Sequence, residues 1–127
     1  MGTSAGGAYS TVGDLRRFFA ALSTGRLLKP ETARLLSTQQ IVAAPARGDR
    51  PELGYGLGFG ASRFEAHRWF GHNGGAPGVN AETMVFPDDD ATLIVLSNRD
   101  PPMAARLLQA GREVMFTGRC EGIVTAR

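Results

Sequence analysis

Residues 69–82 read Trp-Phe-Gly-His-Asn-Gly-Gly-Ala-Pro-Gly-Val-Asn-Ala-Glu, and no other run limits the fold as much: four glycines and a proline break an otherwise apolar stretch around one imidazole. Glycine permits φ > 0 and the close approach of a second backbone or a ligand, so Gly71, Gly74, Gly75 and Gly78 predict a strand edge kept clear of side chains. His72 supplies the imidazole of that edge, the side chain type best suited to proton exchange. Two readings of these residues stand side by side. One is a substrate-facing edge strand that presents His72 and backbone N–H groups; the other is a glycine-rich hairpin loop with a solvated histidine.

The rest of the chain supplies what such an edge needs behind it. Ser10 or Thr11 offers an N-cap ahead of Asp14, Leu15, Phe18, Phe19 and Leu22 recur at helical spacing, and Gly25 supplies a stop. Together they predict a helix over 11–23 with its aromatic stripe in the core. Pro30 at a first-turn position predicts a short second helix over 30–36. Periodicity is lost over 39–53, where Pro45, Gly48 and Pro51 sit among mixed charges, and a surface loop is expected. From Gly54 the period is two: Tyr55, Leu57 and Phe59 share one face, and the glycines between them predict something packed flat against the other.

Further strands are predicted over 64–72, with His67 part-exposed near its start and Trp69 inside it, then over 79–86 and 92–97. Pro87-Asp-Asp-Asp90 joins the last two as a turn whose carboxylates cap backbone N–H groups and stay solvated; with no second ligand cluster nearby, no metal site is expected. Pro101-Pro102 opens a helix in which Met103, Leu107, Leu108, Gly111, Val114 and Met115 form the sheet-facing stripe. The order is helix, short helix, loop, three or four antiparallel strands, helix. That is an α+β fold, an antiparallel sheet flanked by helices, and 127 residues are enough for one domain with a core.

Composition removes several functions. The formal charge is +2, and thirteen arginines and one lysine are spread along the chain instead of gathered in a run, so a nucleic-acid partner is not expected. The single cysteine, Cys120, lies in a polar tail over 118–127; it allows no internal disulfide and no cysteine-built metal site, and its setting is not that of a nucleophile. No apolar run reaches the length of a membrane span, and residues 1–7 carry no leader pattern. No motif for a cofactor is present.

Three segments in order, Ala5-Gly-Gly-Ala-Tyr-Ser-Thr-Val-Gly-Asp-Leu15, Gly54-Tyr-Gly-Leu-Gly-Phe59 and Gly71-His-Asn-Gly-Gly-Ala-Pro-Gly78 running on to Phe86-Pro-Asp88 and Val95-Leu-Ser-Asn98, resemble the serine β-lactamase, penicillin-binding protein and related esterase superfamily. The resemblance covers the chain from about residue 4 to the helix after Pro102. It implies the C-terminal part of a β-lactamase/transpeptidase-like fold, whose sheet is completed by strands from the beginning of the chain. It also implies a sheet edge left open here, suited to pairing with a second copy or with a partner segment. Members of the superfamily are commonly exported, so the resemblance leaves the compartment of this chain open.

Acyl transfer in that superfamily uses a serine one helical turn before a lysine, a tyrosine or serine proton relay, and a glycine-rich strand. Only the third is found. Lys29 is the sole lysine and has Arg26 three residues before it; neither Tyr9 nor Tyr55 has asparagine two places on. By the match of His72-Asn-Gly-Gly to the strand motif, His72 would face the substrate and help set the charge of the site. The N–H of Gly75, following Gly74, would supply half of an oxyanion hole, with Asn73 and Gly78 beside the substrate. Histidine in place of lysine points to the peptidase and esterase branches over penicillin hydrolysis. The expectation is therefore part of a serine hydrolase acting on a small ester, amide or peptide-like substrate once completed by an upstream half. The alternative is a non-catalytic, truncated module for binding or assembly.

Overall fold

A computed structural model describes residues 6–48 and 52–119. Cys120 and the rest of the tail expected over 118–127 lie outside the described residues, apart from Gly118 and Arg119. Three helices and seven strands follow in the order α1 (Val12–Ser23), α2 (Pro30–Ser37), β1 (Ile41–Ala44), β2 (Leu53–Tyr55), β3 (Gly60–Phe64), β4 (His67–Gly71), β5 (Asn73–Ala76), β6 (Val79–Phe86), β7 (Ala91–Ser97) and α3 (Met103–Thr117). The fold is α+β, with an antiparallel sheet in the order β1-β2-β3-β4-β6-β5 and β7 paired to β6. The backbone groups into two compact units: one holds the described residues of Arg16–His72 and Met84–Thr92, the other those of Met1–Leu15, Asn73–Thr83 and Leu93–Arg127.

The first unit is built round three phenylalanines. Phe59 and Phe70 meet edge-on at 5.5 Å between centroids, and Phe19 of α1 lies 6.0 Å from Phe59 and 6.2 Å from Phe70. Tilted contacts of this kind add about 0.5–1.5 kcal/mol per pair beyond the area they bury. Leu22, Ala61, Val85 and Phe86 complete the buried set. Phe18, expected in the core stripe of α1, is instead 44% exposed and covers the edge of Phe19 at 5.2 Å. Phe19 and Leu22 are the buried residues of α1, with Leu15 and Ala21 half-buried beside them.

The chain reverses more often than its periodicity predicts. Gly54 to Phe59 is not one strand: β2 and β3 pair Tyr55 with Gly60, the N–H of Gly56 donates to Phe59 at 2.7 Å, and Gly58 takes φ 97°. Leu57 is thereby placed at the tip of a two-residue hairpin and is 55% exposed. Phe64 belongs to β3, not to the strand carrying His67, since Glu65 turns the chain at φ 53° and Phe64 pairs with His67. The expected loop over 39–53 contains β1, which pairs Ile41 with Tyr55 and Val42 with Gly54. It lacks an alternating pattern because it is an edge strand with Ile41 and Val42 both exposed. The flat packing expected from the interleaved glycines is present: a Cβ on Gly56 would run into the backbone carbonyl of Leu36 at the end of α2.

At the far ends of β4 and β6 the acidic turn is paired, not merely solvated. Arg68 donates from Nε and Nη2 to the two oxygens of Asp88 at 3.1 and 3.0 Å, and His67 Nδ1 lies 2.8 Å from Asp89. The Arg68 hydrogen bonds, with the charges of Arg68 and Arg63 behind them, hold the Asp88 carboxyl below the ordinary carboxylate value.

In the second unit, the structure chooses Thr11 over Ser10 as the cap of α1: the Asp14 N–H donates to Thr11 Oγ1 at 3.1 Å, and that hydroxyl donates to the Asp14 carboxylate at 2.8 Å. β5 and β6 form a two-residue hairpin closed by Pro77 and Gly78, the latter at φ 80°, as a type II turn requires of its third residue. α3 buries Ala104, Leu108 and Ala110 and sets Gly111 3.7 Å from Leu93 of β7. Leu107, Val114 and Met115, expected on that face, are exposed. Leu108 is the large residue of the expected stripe that stays buried, with Ala104 and Ala110 beside it. Gly118 ends α3 at φ 68° with its N–H on the Val114 carbonyl at 3.0 Å.

Candidate functional site

His72 is the last residue of the first unit and is exposed between β4 and β5. Its ring is held by Tyr55 of β2: the phenol oxygen is 3.0 Å from Nε2, with the rings 6.3 Å apart and nearly perpendicular. Tyr55 reaches this position because its neighbours in the register are glycines. Gly60 pairs with it on β3 and in turn with Gly71 of β4, leaving a lane with no side chain between phenol and imidazole. Tyr55 has no asparagine two places on, so no relay motif marks it in the sequence. The usable signal was the glycine spacing on either side of it.

Asn73, Gly74 and Gly75 open the second unit as β5, paired in sequence with Glu82, Ala81 and Asn80 of β6. Among the described residues β5 pairs with β6 alone and ends the strand order. In an antiparallel ladder successive N–H groups alternate between the partner strand and the opposite side. Of the consecutive N–H groups of Gly74 and Gly75, the ladder therefore uses one and leaves the other directed away from β6.

The two glycines are not equivalent. A Cβ on Gly74 would meet nothing within 4 Å, whereas one on Gly75 would strike the ring of Pro101. Gly75→Ala is thus expected to destabilise the fold by about 1–3 kcal/mol through overpacking against a rigid ring. Gly74→Ala should stay within about 0.5 kcal/mol of the parent. Urea unfolding of the two variants distinguishes them, and equal midpoints would contradict this packing.

Behind the strand, Asn80 is 5% exposed and engaged at both ends of its side-chain amide. Its Nδ2 donates to the Gly74 carbonyl at 2.9 Å, and its Oδ1 accepts from the Ala104 N–H in the first turn of α3 at 2.7 Å. Gly78 donates its N–H to the Asp100 carboxylate at 2.6 Å, which ties the hairpin tip to the loop before α3. An open cavity of about 360 Å³ lies against these residues, lined by Asn73, Gly74, Gly75, Asn80, Glu82 and Pro101 among others. Among the described residues no group of three or more His, Cys, Asp or Glu could hold a metal ion, and no helix is long and apolar enough to cross a membrane.

An α+β sheet ending in a glycine-rich strand, with helices packed against it, defines a transpeptidase-like architecture. The chain belongs to the Beta-lactamase family, whose model matches residues 1–114. Its backbone is similar to a penicillin binding protein from Bacillus halodurans, with TM-score 0.73 and 25% identity over 91% of this chain and 33% of that one. It is also similar to a D-stereospecific amidohydrolase from Streptomyces sp., with TM-score 0.68 and 28% identity over 87% of this chain and 31% of that one. The chain thus spans about one third of the length of these solved relatives. A search of curated proteins finds no match.

Proposed function

We propose that this chain supplies the strand side of the acyl-transfer site of a β-lactamase-related serine hydrolase acting on a small ester, amide or peptide-like substrate. In this reading the Gly75 N–H donates to the acyl oxygen as it gains charge. A donor fixed on a strand needs no reorganisation at that moment, which is where such groups lower the barrier most. His72, steadied by Tyr55, sets local charge and orients the substrate instead of attacking it. Asn73, Gly74 and Gly78 border the substrate, and the small profile of the glycines gives it room. The nucleophilic serine and its lysine come from a segment other than residues 1–127, where no serine precedes a lysine by three positions.

The observation that carries the reading is β5 itself: a terminal strand with consecutive glycines whose ladder leaves one N–H unspent, in a chain of this family. The 127-residue chain is expected to hydrolyse chromogenic esters and cephalosporins no faster than free imidazole does, because it holds no activated nucleophile. Steady-state assays with the purified chain check this. Turnover well above the imidazole level would place the whole machinery within these residues and overturn the division of labour.

A further inference from the structure

Gly74 C=O and Gly75 N–H are the two ends of one planar peptide unit, so whatever holds the carbonyl also aims the amide hydrogen. The buried side-chain amide of Asn80 donates to that carbonyl at 2.9 Å, beside the ladder that pairs Gly74 with Ala81 of β6. Asn80 is in turn held from behind by α3. The helix has Pro102 at its N-cap with no side-chain cap of its own, and the Ala104 N–H, one of the first-turn donors that a helix leaves unsatisfied, is taken by Asn80 Oδ1 at 2.7 Å. The result is an unbroken row of aligned dipoles: Ala104 N–H to Asn80 Oδ1, Asn80 Nδ2–H to Gly74 O, and Gly75 N–H beyond.

From this row we infer that Asn80 is the positioning residue of the oxyanion donor. It fixes the plane of the Gly74–Gly75 peptide and, by drawing electron density toward the Gly74 oxygen, makes the Gly75 N–H a stronger donor. Hydrogen bonds in series polarise one another by roughly 10–30% each, and the positive end of a helix dipole lies at the head of this series. Two further contacts keep the row in register, since Pro101 packs on Gly75 and Asp100 accepts from Gly78. The inference rests on the oxyanion role proposed for Gly75.

The discriminating substitution is Asn80→Asp. It keeps an acceptor for Ala104 at a helix N-terminus, where a carboxylate is favoured, but replaces the donor to Gly74 with an oxygen. In amide-resolved NMR of the 127-residue chain, the parent should show a through-hydrogen-bond coupling between Asn80 Nδ2 and the Gly74 carbonyl carbon. Asn80→Asp should keep the Ala104 amide slow to exchange while moving the Gly75 amide proton upfield. Asn80→Ala should move Gly75 likewise and also release Ala104. Absence of the coupling in the parent, or a Gly75 resonance indifferent to both substitutions in folded protein, overturns the inference, and the parent measurement decides even if neither variant folds.

In a hydrolytically active chain that includes the serine and lysine, Asn80→Asp should lower kcat about tenfold with KM within about twofold, a fraction of what a whole oxyanion donor contributes. If Gly75 substitution cripples turnover and Asn80→Asp does not, the inference about Asn80 fails alone. If Gly75 substitution is silent, the oxyanion reading itself fails.

Discussion

Gly75→Pro, introduced into a chain that carries the serine and lysine, is expected to lower turnover by roughly two to three orders of magnitude, the usual consequence of deleting one oxyanion donor. Proline removes the N–H outright, and its ring adds bulk where a Cβ already meets Pro101. Circular dichroism must therefore show that the variant is folded before its rate is read. His72→Ala should be milder. It removes a side chain that orients and adjusts charge, together with the hydrogen bond to Tyr55, and should raise KM or reshape the pH profile more than it abolishes the acyl step. Complete loss of turnover in His72→Ala, with a folded Gly75→Pro still active, would reverse the roles and make His72 the general base.

Gly56→Ala is expected to cost about 3 kcal/mol or more. The added Cβ would collide with the Leu36 carbonyl and stand 2.8 Å from the Thr38 carbonyl oxygen, and neither backbone can give way without moving the end of α2. Gly54→Ala offers the control two residues earlier, because the atoms it meets belong to the flexible side chain of Gln39. Urea unfolding should place Gly56→Ala far below Gly54→Ala in midpoint. Similar midpoints would mean that α2 is not seated on the β2–β3 hairpin as described.

Much of this architecture is legible in the residues. Thr11 with Asp14 marks the start of α1, Pro30 the start of α2, and the strand expected over 79–86 has the bounds of β6. The glycine-rich run reads either as an edge strand or as a hairpin loop, and it holds both: β5 ends the strand order and Pro77-Gly78 closes a hairpin. What stayed hidden shares a physical cause. The hairpins at Leu57-Gly58 and Glu65-Ala66 lack the Asn-Gly or Asp-Gly pairs that advertise a two-residue reversal, so their strands fused into longer ones when read by period alone. β1 is specified by its ladder to Gly54 and Tyr55, not by any pattern of its own.

The candidate site divides in the same way. His72 and the glycines are visible because they interrupt an otherwise apolar run. Tyr55 and Asn80 are not, since their roles come from partners 17 and 24 residues away in sequence, His72 and Ala104. A buried asparagine on a strand is only a mild anomaly until the helix end that it caps is known.

The measurement closest to the central claim is the identification of the residue that a fluorophosphonate or β-lactam probe modifies covalently. A longer chain that includes the serine and lysine should gain one adduct by intact mass, mapped by peptide sequencing to a serine outside residues 1–127, and Gly75→Pro should slow its formation by roughly the same two to three orders of magnitude as turnover. The 127-residue chain alone should gain none. An adduct on any residue within 1–127, or a labelling rate unchanged by Gly75→Pro in folded protein, would contradict the assignment of this chain to the strand side of the site.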